Sequence, residues 1–504
     1  MRKRTKLRKR LSASINHDRR SSTQSKLVEI ERKLQESYKS QDQQEEERAV
    51  EAIKSNPKYF YSFANRHKLK CPVGPLLDGD GLQVSDPKKM AHILASQYRA
   101  AFSSPLSSPP DTSRIPDVHI SDIVFDEEQL KTAIDEISLT AAPGPDRFPA
   151  VMLKKCKDEL CKPLQIIWRK SLDTGDIPAI LKVSNITPVH KGGDKQTPKN
   201  YRPVALTSHL IKVFEKIVRN HLVNFIEANN LMNPNQHGFR AGRSCLSQLL
   251  QHYDRITRLM EDGKNVDVIY LDFSKAFDKL DFEVTLQKMH DMGITGMLFR
   301  WIESFLTDRK QCVAVGGFKS EPDLVVSGVP QGSVIGPLLY LIMMRDIDKD
   351  VNTAHVSSFA DDTRVLAGIS HSDDVEVLQQ DLEKIFLWSA ENNASFNASK
   401  FECLRYGKNK FIIDNTVYHS NTQSEIQTHN SVRDLGVTMS SDATFAEHIS
   451  NIIVAANLKC AWVLRSFKTR ERTPMVTLWK AMIMPTLDYC SQLWCPTPLA
   501  SSKI

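Results

Sequence analysis

One stretch constrains this chain more than any other: Val268-Ile269-Tyr270-Leu271-Asp272-Phe273-Ser274-Lys275-Ala276-Phe277-Asp278. Four apolar, largely β-favouring residues run straight into a carboxylate. That pattern predicts a buried strand whose end presents Asp272. About ninety residues later, Val356-Ser357-Ser358-Phe359-Ala360-Asp361-Asp362-Thr363-Arg364-Val365-Leu366 sets two adjacent acids between short β-favouring flanks, as at the tip of a hairpin. Taken singly, an acid at a strand end is a solvated loop carboxylate. Side by side, the two segments would bring three carboxylates together, and one would be forced to keep a proton. Bound divalent cations remove that conflict. Hard oxygen ligands suit Mg²⁺, which shares its shell readily with phosphate oxygens. Two such ions about 3.5–4 Å apart clamp the attacking and leaving oxygens of a phosphoryl transfer.

The rest of the chain sets bounds. Its 504 residues suggest about three folding units. With 41% hydrophobic and 25% charged residues the composition is that of a globular protein with a sizeable core. The net charge of +7 is unevenly spread. Nine Lys or Arg against Asp18 give the first twenty residues +8, so the other 484 sum to −1. Basic character therefore belongs to a tail and to local patches. The nine cysteines are scattered without metal-ligand spacing and read as reduced, mostly buried thiols of an intracellular protein. No window is apolar enough to span a membrane, and the basic start lacks the apolar segment of a secretory signal.

In chain order, residues 1–22 read as a disordered basic tail, suited to nuclear targeting or phosphate contact. Residues 23–120 read as a helical N-terminal extension and linker. Leu27, Ile30, Leu34 and Tyr38 fall at helical spacing before Pro57, Asp78-Gly79-Asp80-Gly81 is a turn lacking the acids of a calcium loop, and 103–116 is rich in Ser and Pro. Residues 121–170 read as a helical connector, with a helix over 125–140 closed by the 142–147 turn. Two strands separated by a Gly192-Gly193 loop follow over 181–206, flanked by Lys191 and Arg202, a point charge and a planar fork suited to a triphosphate. Thr207 or Ser208 caps the next helix. Asp278 and Asp281 read as solvated turn residues. Ser327-Gly328-Val329-Pro330-Gln331-Gly332-Ser333-Val334-Ile335-Gly336-Pro337 makes a bare loop on which a base pair can lie, with Gln331 free to hydrogen-bond it, before an apolar helix. Residues 441–504 return to helical periodicity from Ile449 to Phe467, with a second helix over 474–495 and a basic side.

Asp272 followed by Phe277, then Phe359-Ala360-Asp361-Asp362 and the Gly-Pro loop, resembles the palm of a reverse transcriptase, in particular the non-LTR retrotransposon kind of jockey-like and CR1-like elements. The resemblance covers most of residues 50–496. It implies an α+β right-hand polymerase: fingers and palm with a small antiparallel sheet over 171–440, and a helical thumb, cut short, over 441–504. It implies RNA-directed DNA synthesis, with deoxynucleotides added to a primer 3′-hydroxyl on an RNA template. Two Mg²⁺ ions, or Mn²⁺ in their place, would be held by Asp272, the Phe273 carbonyl, Asp361 and Asp362. Lys191 and Arg202 would sit over the nucleotide, with Gln331 and Gly332 beneath it. Phe277 would exclude a 2′-hydroxyl; RNA-dependent RNA polymerases tend to carry a smaller polar or acidic group there, and usually Gly-Asp-Asp in the hairpin. Lys400, in Asn397-Ala398-Ser399-Lys400, matches the position that protonates pyrophosphate. Gln236-His237-Gly238-Phe239-Arg240-Ala241-Gly242-Arg243 resembles a second fingers motif, making Arg240 and Arg243 candidates for template phosphates. Asp434-Leu435-Gly436-Val437 resembles the primer grip. The chain departs from the family at Arg147, usually Gly, and at Phe282, usually His. The same resemblance implies an RNA template, a DNA primer or target and deoxynucleotides as partners, no membrane, at least transient entry to the nucleus, and an endonuclease lying in an absent domain or another chain. The rival expectation is an inactive element-derived remnant that only binds nucleic acid.

Overall fold

The structure, a computed structural model, describes residues 4–7, 17–66, 73–104, 110–407 and 416–495. Most of the basic tail lies outside these; its described end, residues 17–22, already belongs to the helix His17–Ser55. The chain divides into two compact units, one of residues 71–444 and one joining 1–70 to 445–504. Among the described residues, no helix is long and apolar enough to cross a membrane.

The larger unit is built on two five-stranded sheets. Its strands in chain order begin with the hairpin β1 (Leu76–Leu77) and β2 (Gln83–Val84), then β3 (Val183–His190) and β4 (Tyr201–Leu206). Next are β5 (Asn265–Leu271), β6 (Lys310–Val315), β7 (Phe318–Lys319) and β8 (Asp323–Leu324). Then follow β9 (His355–Phe359), β10 (Asp362–Ile369), β11 (Glu402–Tyr406) and β12 (Gln427–His429). The hairpin β13 (Ser431–Asp434) and β14 (Val437–Ser440) completes the set.

The central sheet runs β12-β11-β5-β10-β9, antiparallel except between β11 and β12. The expected strand is β5. It is buried along nearly its whole length, with Ile269 and Leu271 in the main apolar core and Asp267 paired with Arg405. Behind it lies one large apolar core, in which Trp168 stacks on Phe214 at 4.6 Å and Trp301 meets the same ring edge-on at 5.3 Å. The helix His209–Ala228 supplies Phe214 to that core. Of the two capping candidates, Ser208 is the N-cap, its hydroxyl accepting from Leu210 N at 3.1 Å.

The second sheet runs β4-β3-β6-β7, with β8 also on β6. Its cover is the helix Pro87–Arg99, whose Met90, Ala91, Leu94 and Tyr98 pack with Ile186, Tyr201, Ala205 and Val313. The expected 23–120 extension is therefore divided. Residues 73–104 join this sheet, while Ala49, Val50, Ile53, Phe60 and Phe63 join a separate core with Val463, Phe467, Leu478 and Ile483. The division follows the apolar side chains: each short segment buries its own stripe against a different partner.

Smaller expectations are also revised. The helix expected over 125–140 spans Glu127–Asp135 and starts with an Asp126–Gln129 capping box. Asp78 Oδ1 accepts from Asp80 N at 3.0 Å and Leu82 N at 2.8 Å, closing the β1–β2 turn. Arg147 has φ +56°, the left-handed region for which Gly is suited. In the smaller unit, Ala446–Ser466 is the long helix expected. The second helix expected over 474–495 is broken into Arg472–Leu478, a π-turn over Trp479–Ile483, Met484–Asp488 with Pro485 in its first turn, and Ser491–Trp494. Of the described cysteines only Cys161, Cys403 and Cys490 are buried, so burial is less general than expected.

Candidate active site

A cleft of about 590 Å³ opens between the two sheets of the larger unit. Asp272, Phe273, Phe277, Asp361, Lys400, Lys191, Arg202, Gln331 and Gly332 line it, whereas Asp362 does not. Most of the residues singled out from sequence thus share one surface.

The acids are brought together by strand register. Leu271 pairs with Thr363 across β5 and β10. One step further along the same antiparallel register sets Asp272, just past β5, opposite Asp362, the first residue of β10. Opposed residues of such a pair lie about 4.5–5.5 Å apart at Cα. Asp361 occupies the β9–β10 turn beside them. The end of β5 is stapled to a later segment: Asn397 N donates to Asp272 O at 2.8 Å, Ser274 N donates to Ser395 O at 2.9 Å, and Phe273 stacks on Phe396 at 4.3 Å. That staple carries the turn Ala398–Lys400, and Lys400 Nζ stands 2.9 Å from Asp272 Oδ2.

Charge at the hairpin is strained. Burial, then the neighbouring Asp361, pushes the Asp362 carboxyl up to about 6. The residue keeps one side open to solvent, so water screens part of this effect. Asp361 is also raised, first by burial and then by Asp272, while Arg202 and Lys400 oppose the rise. Beneath them lies Tyr340, 1% exposed, whose hydroxyl has no hydrogen-bond partner among the described residues. Its ring stacks on Phe277 at 4.9 Å.

These features bear on the expected ions. Two adjacent acids, both with raised carboxyls, beside a third are a donor set that a hard dication relieves. Among the described residues no three acidic, His or Cys side chains close into a ready-made metal cage. An ion here would fill its shell with water or phosphate oxygens, as Mg²⁺ commonly does.

The bare loop is bound to the Phe277 turn. Val329 N donates to Phe277 O at 2.9 Å, Gly328 N to Leu280 O at 2.7 Å, and Ser327 Oγ to Asp278 O at 2.9 Å. A Cβ on Gly328, at φ +82°, would collide with the Phe277 and Asp278 carbonyls. Gln331 is not free as expected: its side-chain Nε2 donates to Asp278 Oδ1 at 2.7 Å, and its backbone carbonyl accepts from Ala205 N at 2.9 Å. Nor are Asp278 and Asp281 solvated. Asp278 is half-buried with its carboxyl raised chiefly by burial, because the loop folds over it. Asp281, 1% exposed, caps the helix Phe282–Asp291 through Val284 N, and Phe282 is buried in the core.

Three expected contacts lie away from the cleft lining. Arg240 is held by Glu227 at 2.7 and 3.0 Å and by Asn233 O at 2.8 Å. Arg243 Nη1 sits 3.0 Å from His237 Nε2. Gly436, at φ +88°, forms the β13–β14 turn with Leu435.

Sequence reading missed the residues that brace these parts. Glu215, fully buried, accepts from Val334 N at 2.6 Å and Ile335 N at 3.1 Å and so anchors the far end of the loop. Arg364, two residues past Asp362 and 1% exposed, pairs with buried Asp434, tying the acid hairpin to the β13–β14 hairpin. A charged residue inside a β-favouring run was the available signal for Arg364. Tyr98 and Lys275 also line the cleft, without having been singled out.

The family of reverse transcriptases (RNA-dependent DNA polymerases) matches residues 189–439. The RNA-directed DNA polymerase from mobile element jockey of Drosophila melanogaster is 27% identical over 379 residues, covering 73% of this chain and 41% of that protein. The probable RNA-directed DNA polymerase from transposon X-element of the same fly is 26% identical over 73% of this chain and 41% of its own length. The chain thus spans less than half of these relatives. Apo telomerase from Candida tropicalis, truncated from its C-terminal domain, superposes with a TM-score of 0.37 and 11% identity over 55% of this chain and 59% of that one. The matched span contains both acid segments, Lys191, Arg202, the bare loop and Lys400; it is a reverse transcriptase domain, and 73% of the chain is similar to the RNA-directed DNA polymerases of jockey and the X-element.

Proposed function

We propose that this chain is an RNA-directed DNA polymerase that adds deoxynucleotides to a primer 3′-hydroxyl on an RNA template. The observation that carries the reading is the shared cleft: Asp272 and Asp361 line it together with the exposed cations Lys191 and Arg202 and the ring of Phe277, and strand register sets Asp362 opposite Asp272. Asp272, Asp361, Asp362 and the Phe273 carbonyl would hold two Mg²⁺ ions, or Mn²⁺. When bound, such ions lower the pKa of the attacking hydroxyl and neutralise charge on the transferring phosphate.

The chain's own groups do the rest. Lys191 and Arg202, exposed and without ion-pair partners among the described residues, meet the triphosphate. Asp272 holds Lys400 at 2.9 Å, and turning the carboxylate toward a dication would free that ammonium to donate a proton to the departing pyrophosphate. Phe277, backed by Tyr340 and therefore unable to retreat, presses on the sugar and excludes a 2′-hydroxyl. The basic first twenty residues fit nuclear entry or phosphate contact.

The test is extension of a primer on an RNA template with Mg²⁺, comparing deoxynucleotides with ribonucleotides. Deoxynucleotide extension that is lost in Asp361→Asn supports the reading. Nucleic-acid binding without extension, unchanged by that substitution, would instead indicate a binding remnant. Equal use of ribonucleotides would remove the sugar gate.

A further inference from the structure

The turn that presents Asp361 does not satisfy its own backbone. Ala360 sits at φ +57°, where a residue with a Cβ is disfavoured by about 1–2 kcal/mol. It is buried, so its N–H and C=O both need partners. One side chain supplies both. Gln236 Oε1 accepts from Ala360 N at 2.9 Å, and Gln236 Nε2 donates to Ala360 O at 3.3 Å. The same Oε1 accepts from Gly238 N at 2.8 Å. Gln236 is 4% exposed. The backbone on either side is docked as well: His237 N donates to Ser358 O at 2.9 Å, and Ser358 N donates to Asn235 O at 3.1 Å. Gly238 permits the approach, since a Cβ there would collide with Ala360 N.

Two consequences follow from this geometry. The strained turn is held by an amide from a segment more than a hundred residues away, so its conformation is set by tertiary structure and not by hairpin propensity. The residue held is the immediate neighbour of Asp361, whose carboxylate direction depends on the Ala360 backbone. We propose that Gln236 is a positioning residue for cation use: by clamping both backbone groups of Ala360 it fixes the direction in which Asp361 and Asp362 face Asp272. This rests on the reading that these acids hold divalent ions.

The experiment titrates Mg²⁺ in primer extension by the full chain for wild type, Gln236→Glu and Gln236→Met, with Asp361→Asn as the control for the underlying reading. Gln236→Glu keeps the acceptor for two N–H groups, loses the donor to Ala360 O and sets a carboxyl oxygen against that carbonyl. Gln236→Met keeps the volume and loses all three bonds. The Mg²⁺ concentration at half-maximal rate should rise by about tenfold in Gln236→Met, the scale of one lost buried hydrogen bond, and by a few-fold in Gln236→Glu. The KM for deoxynucleotide should stay within about twofold. Mn²⁺, which binds oxygen and nitrogen sites more weakly than later metals yet tolerates the same hard ligands as Mg²⁺, should recover more rate in the variants than in wild type. A bond that only supports folding would lower the active fraction, and so the amplitude, at unchanged half-saturation; that result overturns the proposal. If Gln236→Met does not fold, Gln236→Glu decides. If wild type extends no primer, direct Mn²⁺ binding to wild type and Gln236→Glu decides, weaker binding by the variant supporting the clamp and equal binding overturning it. Wild type that neither extends nor binds Mn²⁺ overturns both readings.

Discussion

The central sheet, here called the palm sheet, and the second sheet, here called the fingers sheet, both supply residues to the cleft but treat charge in opposite ways. The palm sheet buries its ion pairs: Arg364 with Asp434 on one face, and Arg405 with Asp267 at 2.8 Å on the other, where Tyr418 Oη also donates to Asp267 at 2.6 Å. The fingers sheet leaves Lys191 and Arg202 in solvent with no such partners among the described residues. A buried pair is costly to assemble and more costly to break, so it fixes geometry. An exposed cation contributes little to the fold and is available to a ligand. The acids Asp361 and Asp362 stand on the sheet with buried pairs, and the cations proposed to meet the triphosphate stand on the other.

Four substitutions or titrations probe that division. The largest effect on stability is expected at Arg364. Arg364→Met alone should cost about 3–5 kcal/mol by stranding Asp434, whereas Arg364→Met with Asp434→Leu should recover most of it, as read by denaturant unfolding. On the opposite sheet, Arg202→Met should leave unfolding within about 0.5 kcal/mol of wild type while raising the deoxynucleotide KM about tenfold or more; a stability loss matching that of Arg364→Met would erase the contrast. The acids add a pH dependence. The Asp362 carboxyl is raised from 3.8 to about 6, so the folded state binds this proton more tightly than the unfolded chain does. Stability should therefore fall as pH rises from about 4 to about 6 and be flat above, and Asp362→Asn should remove that fall. Extension needs the ionised acid and should rise over the same range, reaching its plateau above about 6. The smallest effect belongs to the periphery: Arg147→Gly should stabilise by about 1 kcal/mol, because the residue is held at φ +56°.

Much of the cleft was legible because its residues sit in local patterns. The β5 run into Asp272, the paired acids at the β9–β10 turn, and the Lys191 and Arg202 flanks of a glycine loop each express strand or turn chemistry within a dozen residues. What escaped was long-range. Glu215 lies on a helix and its partners, Val334 and Ile335, come 119 and 120 residues later. Gln236 and Ala360 are 124 residues apart. Asp278 and Asp281 read as solvated because acids after a strand usually are, and only the loop folding over the first and the helix capped by the second reverse this. Arg240 read as a phosphate ligand because its carboxylate partner, Glu227, lies on the preceding helix and carries no motif.

The central claim is that the acids of the β9–β10 hairpin act with Asp272 in DNA synthesis and are not part of the scaffold. The most direct measurement is the single-turnover rate of primer extension by wild type and Asp361→Asn on an RNA template with Mg²⁺, with thermal unfolding recorded on the same samples. The account predicts a loss of at least about 10³-fold in rate with an unfolding temperature equal to or above that of wild type, since a crowded charge has been removed. Wild-type extension by Asp361→Asn, or a loss of rate matched by a loss of folded protein, would contradict it.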